Sequence, residues 1–239
     1  MWSLFLKEID TFFNHLTGYL LLTAFLVALG LVVWVFPETS VLAYGYADLE
    51  SLFVYTPFIF VFLVPAITMR MIAEEKKSGT WELLITSPLR ISHIILAKYF
   101  AALALIVLAL LPTLIYYYSI FQLGSPVGNI DSAGFFGSFI GLIFIGGVFA
   151  AIGIFSSALT DNQITAFVIG VFNGFLLYFG LSAMASLQRN TAAFFLEELS
   201  LSYHYESLGR GVIDSSNLIY FLSLIGSLLI FTGIIIKRR

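Results

Sequence analysis

Six apolar runs, almost free of charge and each about as long as a bilayer core is thick, leave this chain few ways to fold. They cover roughly residues 18–36, 52–69, 94–119, 135–158, 164–185 and 217–236, and a helix of about 20 residues crosses the hydrocarbon. Inside a bilayer every backbone N–H and C=O must be satisfied within the protein, so such runs form helices. The rest of the composition agrees: 60% of the 239 residues are hydrophobic and 10% charged, with a mean hydropathy of +1.00, which excludes an ordinary soluble fold. The expected fold class is an all-α polytopic membrane protein with six transmembrane helices.

Charge is placed as unevenly as apolar surface. Arg70, Glu74, Glu75, Lys76, Lys77, Glu82, Arg90 and Lys98 put eight of the 25 formally charged residues (11 Lys and Arg with 14 Asp and Glu) between the second and third runs or at their edges. This stretch, RMIAEEKKSGTWELLITSPLRISHIILAK, is punctuated. Gly79 suits a helix C-terminus, where glycine adopts a positive φ cheaply. Thr80 is placed to N-cap a new helix, Glu82 lies in its first turn where the helix dipole favours an anion, and Pro88 prevents continuation. A short separate helix outside the bilayer is predicted, with Trp81, Leu84 and Ile85 at i, i+3 and i+4 forming one apolar face. That face either rests on lipid headgroups and the chain's own helix ends, or docks another subunit.

The N-terminal residues 1–17 place Trp2, Phe5, Ile9, Phe12 and Leu16 at helical spacing, with Lys7, Asp10 and Asn14 on other faces. This reads as an amphipathic interfacial helix. The first run is preceded by Lys7, Glu8 and Asp10 and has no small-residue cleavage site after it, so it is read as a retained span rather than a signal peptide. Pro57 and Pro65 fall inside the second run, which predicts a bend, and Pro112 falls in the outer third of the third. Tyr116, Tyr117 and Tyr118 form an interfacial belt. The fourth run is rich in small residues that let helices approach closely; Gly137/Gly141 and, in the fifth, Gly170/Gly174 are GxxxG pairs read as packing within the subunit. Asn173 is the strongly polar amide at depth and is expected to hydrogen-bond a neighbouring helix. Residues 187–216 form a mixed loop whose FFLEELSLSYHYESL portion is expected to lie as an amphipathic helix on the far face.

Nine of the 11 basic residues, Lys7, Arg70, Lys76, Lys77, Arg90, Lys98, Lys237, Arg238 and Arg239, fall on one side of a six-span topology, and Arg189 and Arg210 on the other. Short cytoplasmic loops collect Lys and Arg, so both termini and the charged stretch are expected to be cytoplasmic. A net charge of −3 gives no reason to expect a nucleic-acid partner. The absence of cysteine removes disulfides and thiolate-bound metals from consideration. No run carries an ionisable residue in its interior apart from Lys98 near one end, which disfavours ion-coupled transport. No GxxxxGK[ST] phosphate loop is present, so any ATP is bound by another chain. Paired glutamates such as Glu74 and Glu75 serve some intramembrane hydrolases, but here they sit in a cationic stretch and none of the three histidines lies in a run.

Arg70 closing one span, the Glu74-Glu75-Lys76 turn, Gly79-Thr80, the Glu82-Leu83-Leu84 helix, Ser87-Pro88 and Lys98 opening the next span together resemble the loop of ABC-2 type exporter permeases. The resemblance covers nearly the whole chain, and its short length and loops look most like the gliding-motility-associated (GldF-like) branch. It implies one permease domain over 1–239, with an elbow helix at 1–17, a cytoplasmic coupling loop at 70–93 carrying the coupling helix, and an external loop at 187–216. It further implies docking to a separate ATP-binding cassette subunit that holds ATP and Mg, no cofactor bound by this chain, and pairing with a second identical or paralogous permease. The location implied is the bacterial inner membrane. Trp81, Leu84 and Ile85 would anchor the dock and Glu74, Glu75 and Lys76 form its polar rim, with Gly79, Thr80, Glu82 and Pro88 shaping the helix. The competing expectation is a non-transporting membrane assembly protein that signals through its external loop.

Overall fold

A computed structural model of the chain describes residues 1–187, 191–209 and 214–238. The described residues are helical or in turns, without a strand. Helix α1 (Trp2–Asn14) is succeeded directly by α2 (Leu16–Trp34), the short α3 (Val41–Tyr44) and the long α4 (Glu50–Lys77). Helix α5 (Thr80–Ile85) precedes α6 (Ile91–Leu110), which passes through a 3₁₀ turn at Leu111–Thr113 into α7 (Leu114–Leu123). Then come α8 (Ser132–Leu159), α9 (Gln163–Phe175), a π-helical segment at Leu176–Gly180, and α10 (Leu181–Ser186). Finally α11 (Thr191–Glu198) and α12 (Leu201–Gly209) lead to α13 (Ser215–Arg238). Six of these stretches, Leu16–Trp34, Glu50–Lys77, Ile91–Leu123, Ser132–Leu159, Gln163–Ser186 and Ser215–Arg238, are long and apolar enough to cross a membrane.

The six spans start and stop within a few residues of the apolar runs, with one exception. Arg70–Lys77, expected to open a loop, are the last two turns of α4. Glu and Lys are good helix formers, and nothing in the stretch breaks the helix before Gly79. At 1.5 Å per residue the 28 residues of α4 extend about 42 Å, beyond a hydrocarbon core of about 30 Å.

Helix α8 forms the centre of the bundle: 78% of its most apolar window is buried, against 22% for the windows of α2, α9–α10 and α13. Its small residues are the reason. A Cβ built on Gly153 would lie 1.9 Å from Thr68 Oγ1 of α4, and one on Gly146 would lie 2.7 Å from Ile106 Cγ2 of α6. The two GxxxG pairs also pack within the chain: Gly141 meets the Tyr205 ring, Gly170 meets Pro65 and Gly174 meets Phe149. Asn173 departs from expectation; it is half-buried on an outer helix, and its side-chain amide makes no hydrogen bond among the described residues.

The prolines have local solutions. Helix α4 runs on through Pro57 and Pro65. Pro57 has no N–H for the carbonyl of Phe53 one turn back, and the Tyr205 hydroxyl donates to that carbonyl at 3.0 Å instead. Pro112 likewise has no N–H to continue α6, and the chain tightens into the 3₁₀ turn there. Tyr205 belongs to α12, which with α11 makes two helices of the expected single one. Leu201, Tyr205 and Leu208 recur at i, i+4 and i+7 and are buried against the outer half of α8 and its neighbours. His204 stacks on Tyr220 of α13 with ring centroids 3.8 Å apart, fixing α12 to the last span.

Candidate functional site

At the opposite end of the bundle, α4 turns sharply into α5. Gly79 makes the turn with φ +73°, ψ 0°, a conformation that costs a residue with a Cβ about 1–2 kcal/mol. Because Gly79 stands directly before α5, Thr80 is the first helical residue rather than the N-cap expected from the sequence. Its hydroxyl reaches back to the Glu75 carbonyl at 3.3 Å and pairs with the Ser78 hydroxyl at 2.9 Å, so it braces the turn.

Helix α5 divides its apolar residues between two faces. Trp81 is buried in the chain's own core and Leu84 is half-buried against it. The outward residues are Glu82, Leu83, Ile85 and Thr86, of which Leu83 is 72% exposed and Ile85 39%. Trp81 and Leu84 of the face read from the i, i+3, i+4 spacing therefore seat α5 on the bundle, whereas Ile85 turns outward beside Leu83, the more exposed of the two. Periodicity finds an apolar face without saying which way it turns. Glu74, Lys77 and Pro88 are exposed or half-exposed around it.

Glu75 and Lys76 turn inward. The Lys76 ammonium donates to the Ala158 carbonyl at the end of α8. Glu75 joins a cluster of four charged groups that sequence reasoning did not assemble. The Lys98 ammonium, fully buried on α6, lies 2.7 Å from Glu8 Oε1, 2.8 Å from Glu75 Oε2 and 2.6 Å from the Met71 carbonyl oxygen. Lys7 completes it, 2.7 Å from Glu75 Oε1 and 3.9 Å from Glu8 Oε1. Two ammonium groups face two carboxylates, so the cluster is neutral as a whole, which a buried site requires. Burial pulls the Lys7 pKa down, but the hydrogen bond to Glu75 and the charges of Glu75 and Glu8 outweigh it and leave it raised. The signal in the sequence was Lys98 within an otherwise apolar run; its partners lie 90 and 23 residues away.

Further contacts fasten the same end. Ser157 of α8 accepts from the backbone N–H groups of Ile72 and Ala73, at 3.1 and 2.9 Å, and donates to the Met69 carbonyl at 2.9 Å. Arg70 Nη1 donates to Thr17 Oγ1 of α2 at 3.1 Å. The end of α4 is thus tied to α1, α2, α6 and α8 at once. Nothing in this arrangement is a nucleophile paired with a base; its chemistry is that of attachment.

Six bilayer-length helices around a glycine-rich centre, with a short helix fastened to the end of one span, define a polytopic membrane protein. Residues 33–237 match the ABC-2 family transporter proteins, and the chain belongs to that family. It is accordingly a membrane permease subunit of an ABC transporter, a transmembrane component that ordinarily carries no ATPase of its own. The match begins near the end of α2, so α1, with Lys7 and Glu8, precedes it. No curated protein matches the chain.

Proposed function

We propose that this permease is driven by ATP hydrolysis in a separate ATP-binding cassette subunit, which docks on α5 and the exposed turns around it. The observation that carries this reading is α5 itself: a six-residue helix seated through Trp81 and presenting Leu83, Glu82 and Ile85 outward at the end of the 28-residue α4. ATP and Mg belong to the partner. The basic residues at the α5 end of the bundle support a cytoplasmic reading of that end and of both termini, since short cytoplasmic loops collect Lys and Arg, and a bacterial inner membrane is the location that goes with this reading. Two permease subunits, identical or paralogous, would frame the translocation path, in the direction of export, with service to gliding-motility or secretion machinery as the narrower assignment.

The test is co-purification from native membranes, then an ATPase assay. Leu83→Asp removes the outward knob without disturbing the buried Trp81 and half-buried Leu84, whereas a change at Leu84 would confound docking with local packing. Expected is a stoichiometric ATP-binding subunit with the native chain and at least a tenfold loss of it with Leu83→Asp, equivalent to about 1.4 kcal/mol. Undiminished co-purification and hydrolysis in the variant would refute the dock. A second reading, signalling to an external partner, has its own observation: Phe194, Phe195, Leu199 and Tyr203 of the α11–α12 segment are exposed. Crosslinking from Phe195 that captures only lipid would rule it out.

A further inference from the structure

Between α1, α2 and the end of α4 lies a cleft of about 540 Å³, within the range of small-molecule sites. Its two ends differ in chemistry. The floor is apolar, made by Leu20, Leu21 and Ala24 of α2 with Ala66 and Ile67 of α4. The rim at the α1 end is polar, with Lys7, Glu8, His15, Arg70, Glu74 and Glu75. Leu20 is 58% exposed on the outer span α2, so the apolar part opens sideways to the surface that faces lipid. A polar rim at the membrane boundary above an apolar slot open to lipid is the shape of an amphiphile's site.

The rim selects the headgroup. Glu8, Glu75 and Lys7 are already committed to one another and to Lys98. Arg70 and Glu74 are not: among the described residues neither has an ion-pair partner, and Arg70 has only its bond to Thr17. They stand one turn apart on α4, where Cβ atoms are about 5–6 Å apart, and yet do not pair with each other. An unpaired guanidinium and an unpaired carboxylate at that spacing match a phosphate and an ammonium joined by a two-carbon bridge. A purely anionic headgroup would satisfy Arg70 and oppose Glu74. A choline headgroup would satisfy the charge but has no N–H to give the carboxylate.

We propose that this cleft is a binding site for phosphatidylethanolamine, with its phosphate on Arg70, its ammonium on Glu74 and its acyl chains along the α2–α4 floor. The inference goes beyond the proposed function and does not depend on it, because it concerns this chain and the bilayer alone. A lipid seated there packs between α1, α2 and the end of α4.

The experiment is native mass spectrometry of the full chain, released from vesicles of equal parts phosphatidylethanolamine, phosphatidylcholine and phosphatidylglycerol. Native protein is expected to retain phosphatidylethanolamine at least tenfold over either competitor. Glu74→Gln should remove that preference and raise phosphatidylglycerol, while Arg70→Gln should cut retention of all three about tenfold. Arg90→Gln, an exposed charge outside the cleft, should change nothing, and circular dichroism confirms that each variant is folded. If Arg70→Gln fails to fold for want of its Thr17 contact, the exposed Glu74 variant decides alone. Equal retention of the three lipids, dominance of phosphatidylglycerol, no retained lipid, or an unaltered preference in Glu74→Gln would each overturn the proposal.

Discussion

Replacing Lys98 with Met tests whether the buried cluster holds α1 to the bundle. Methionine keeps most of the side chain's length and apolar stem and removes the ammonium. In the native chain that ammonium has three partners, Glu8, Glu75 and the Met71 carbonyl, all within 2.8 Å, and no exposure to solvent. Without it, Lys7 alone faces two carboxylates, so one buried negative charge is uncompensated and the Met71 carbonyl loses its side-chain donor. Breaking a buried pair in this way costs about 3–5 kcal/mol, or roughly 6–20 °C in Tm for a chain of this size. Adding Glu8→Gln removes the surplus charge and leaves Lys7 paired with Glu75 at 2.7 Å. The double variant should therefore lie above the sum of the two single losses by about 2 kcal/mol. Thermal unfolding of the purified chain in detergent gives the Tm values, and trypsin cleavage after Lys7 reports release of α1. A Lys98→Met shift below about 2 °C, or additive losses in the cycle to within about 0.5 kcal/mol, would refute the reasoning.

Two further perturbations probe other parts of the bundle. Gly153→Ala should destabilise the chain by about 1–3 kcal/mol through overpacking, because its Cβ would meet Thr68 Oγ1; Thr68→Ala in the same chain should restore part of the Tm. Tyr205→Phe removes the donor to the Phe53 carbonyl freed by Pro57 and should cost about 1–3 kcal/mol, read as a fall in Tm. Burial, helped by Tyr178, holds the Tyr205 hydroxyl well above its ordinary pKa of 10.0. A folded-state pKa raised above the unfolded one contributes stability fully present below that ordinary value and lost as pH rises through the folded value. Native protein should thus lose Tm progressively above about pH 10, and Tyr205→Phe should lose less; parallel curves would show that the linkage lies elsewhere.

The spans were legible because bilayer-length runs without charge have few alternatives, whereas the caps that fix two of their starts went unread. Asp131 accepts from the Gly134 N–H and Asn162 from the Ile164 N–H at the starts of α8 and α9. The break at Gly79 was legible because only a residue without a Cβ adopts its φ cheaply. The final turns of α4 were less so: Glu74–Lys77 carry no apolar periodicity, and a charged stretch that remains helical looks like a loop. Trp81, Leu84 and Ile85 were grouped as one face, but a six-residue helix offers no sequence cue to which side the bundle lies. The ion cluster was hidden for a different reason. Its members come from three helices, and no local pattern joins Glu8 to Lys98; only the oddness of a lysine in an apolar run hinted at it. Tyr205 was hidden similarly, since its partner is a carbonyl made available by a proline in another helix.

The order of the cluster's members along the chain bears on how the protein is made. A lysine entering a bilayer within a helix costs about 2.5–3.5 kcal/mol at the centre of a span when it has no partner. Glu8 and Glu75 both precede Lys98, so when α6 leaves the ribosome and inserts, its counter-ions have already been synthesised. In the folded chain the lysine meets carboxylates instead of hydrocarbon. The cluster that fastens α1 is therefore complete only once the third span has been made.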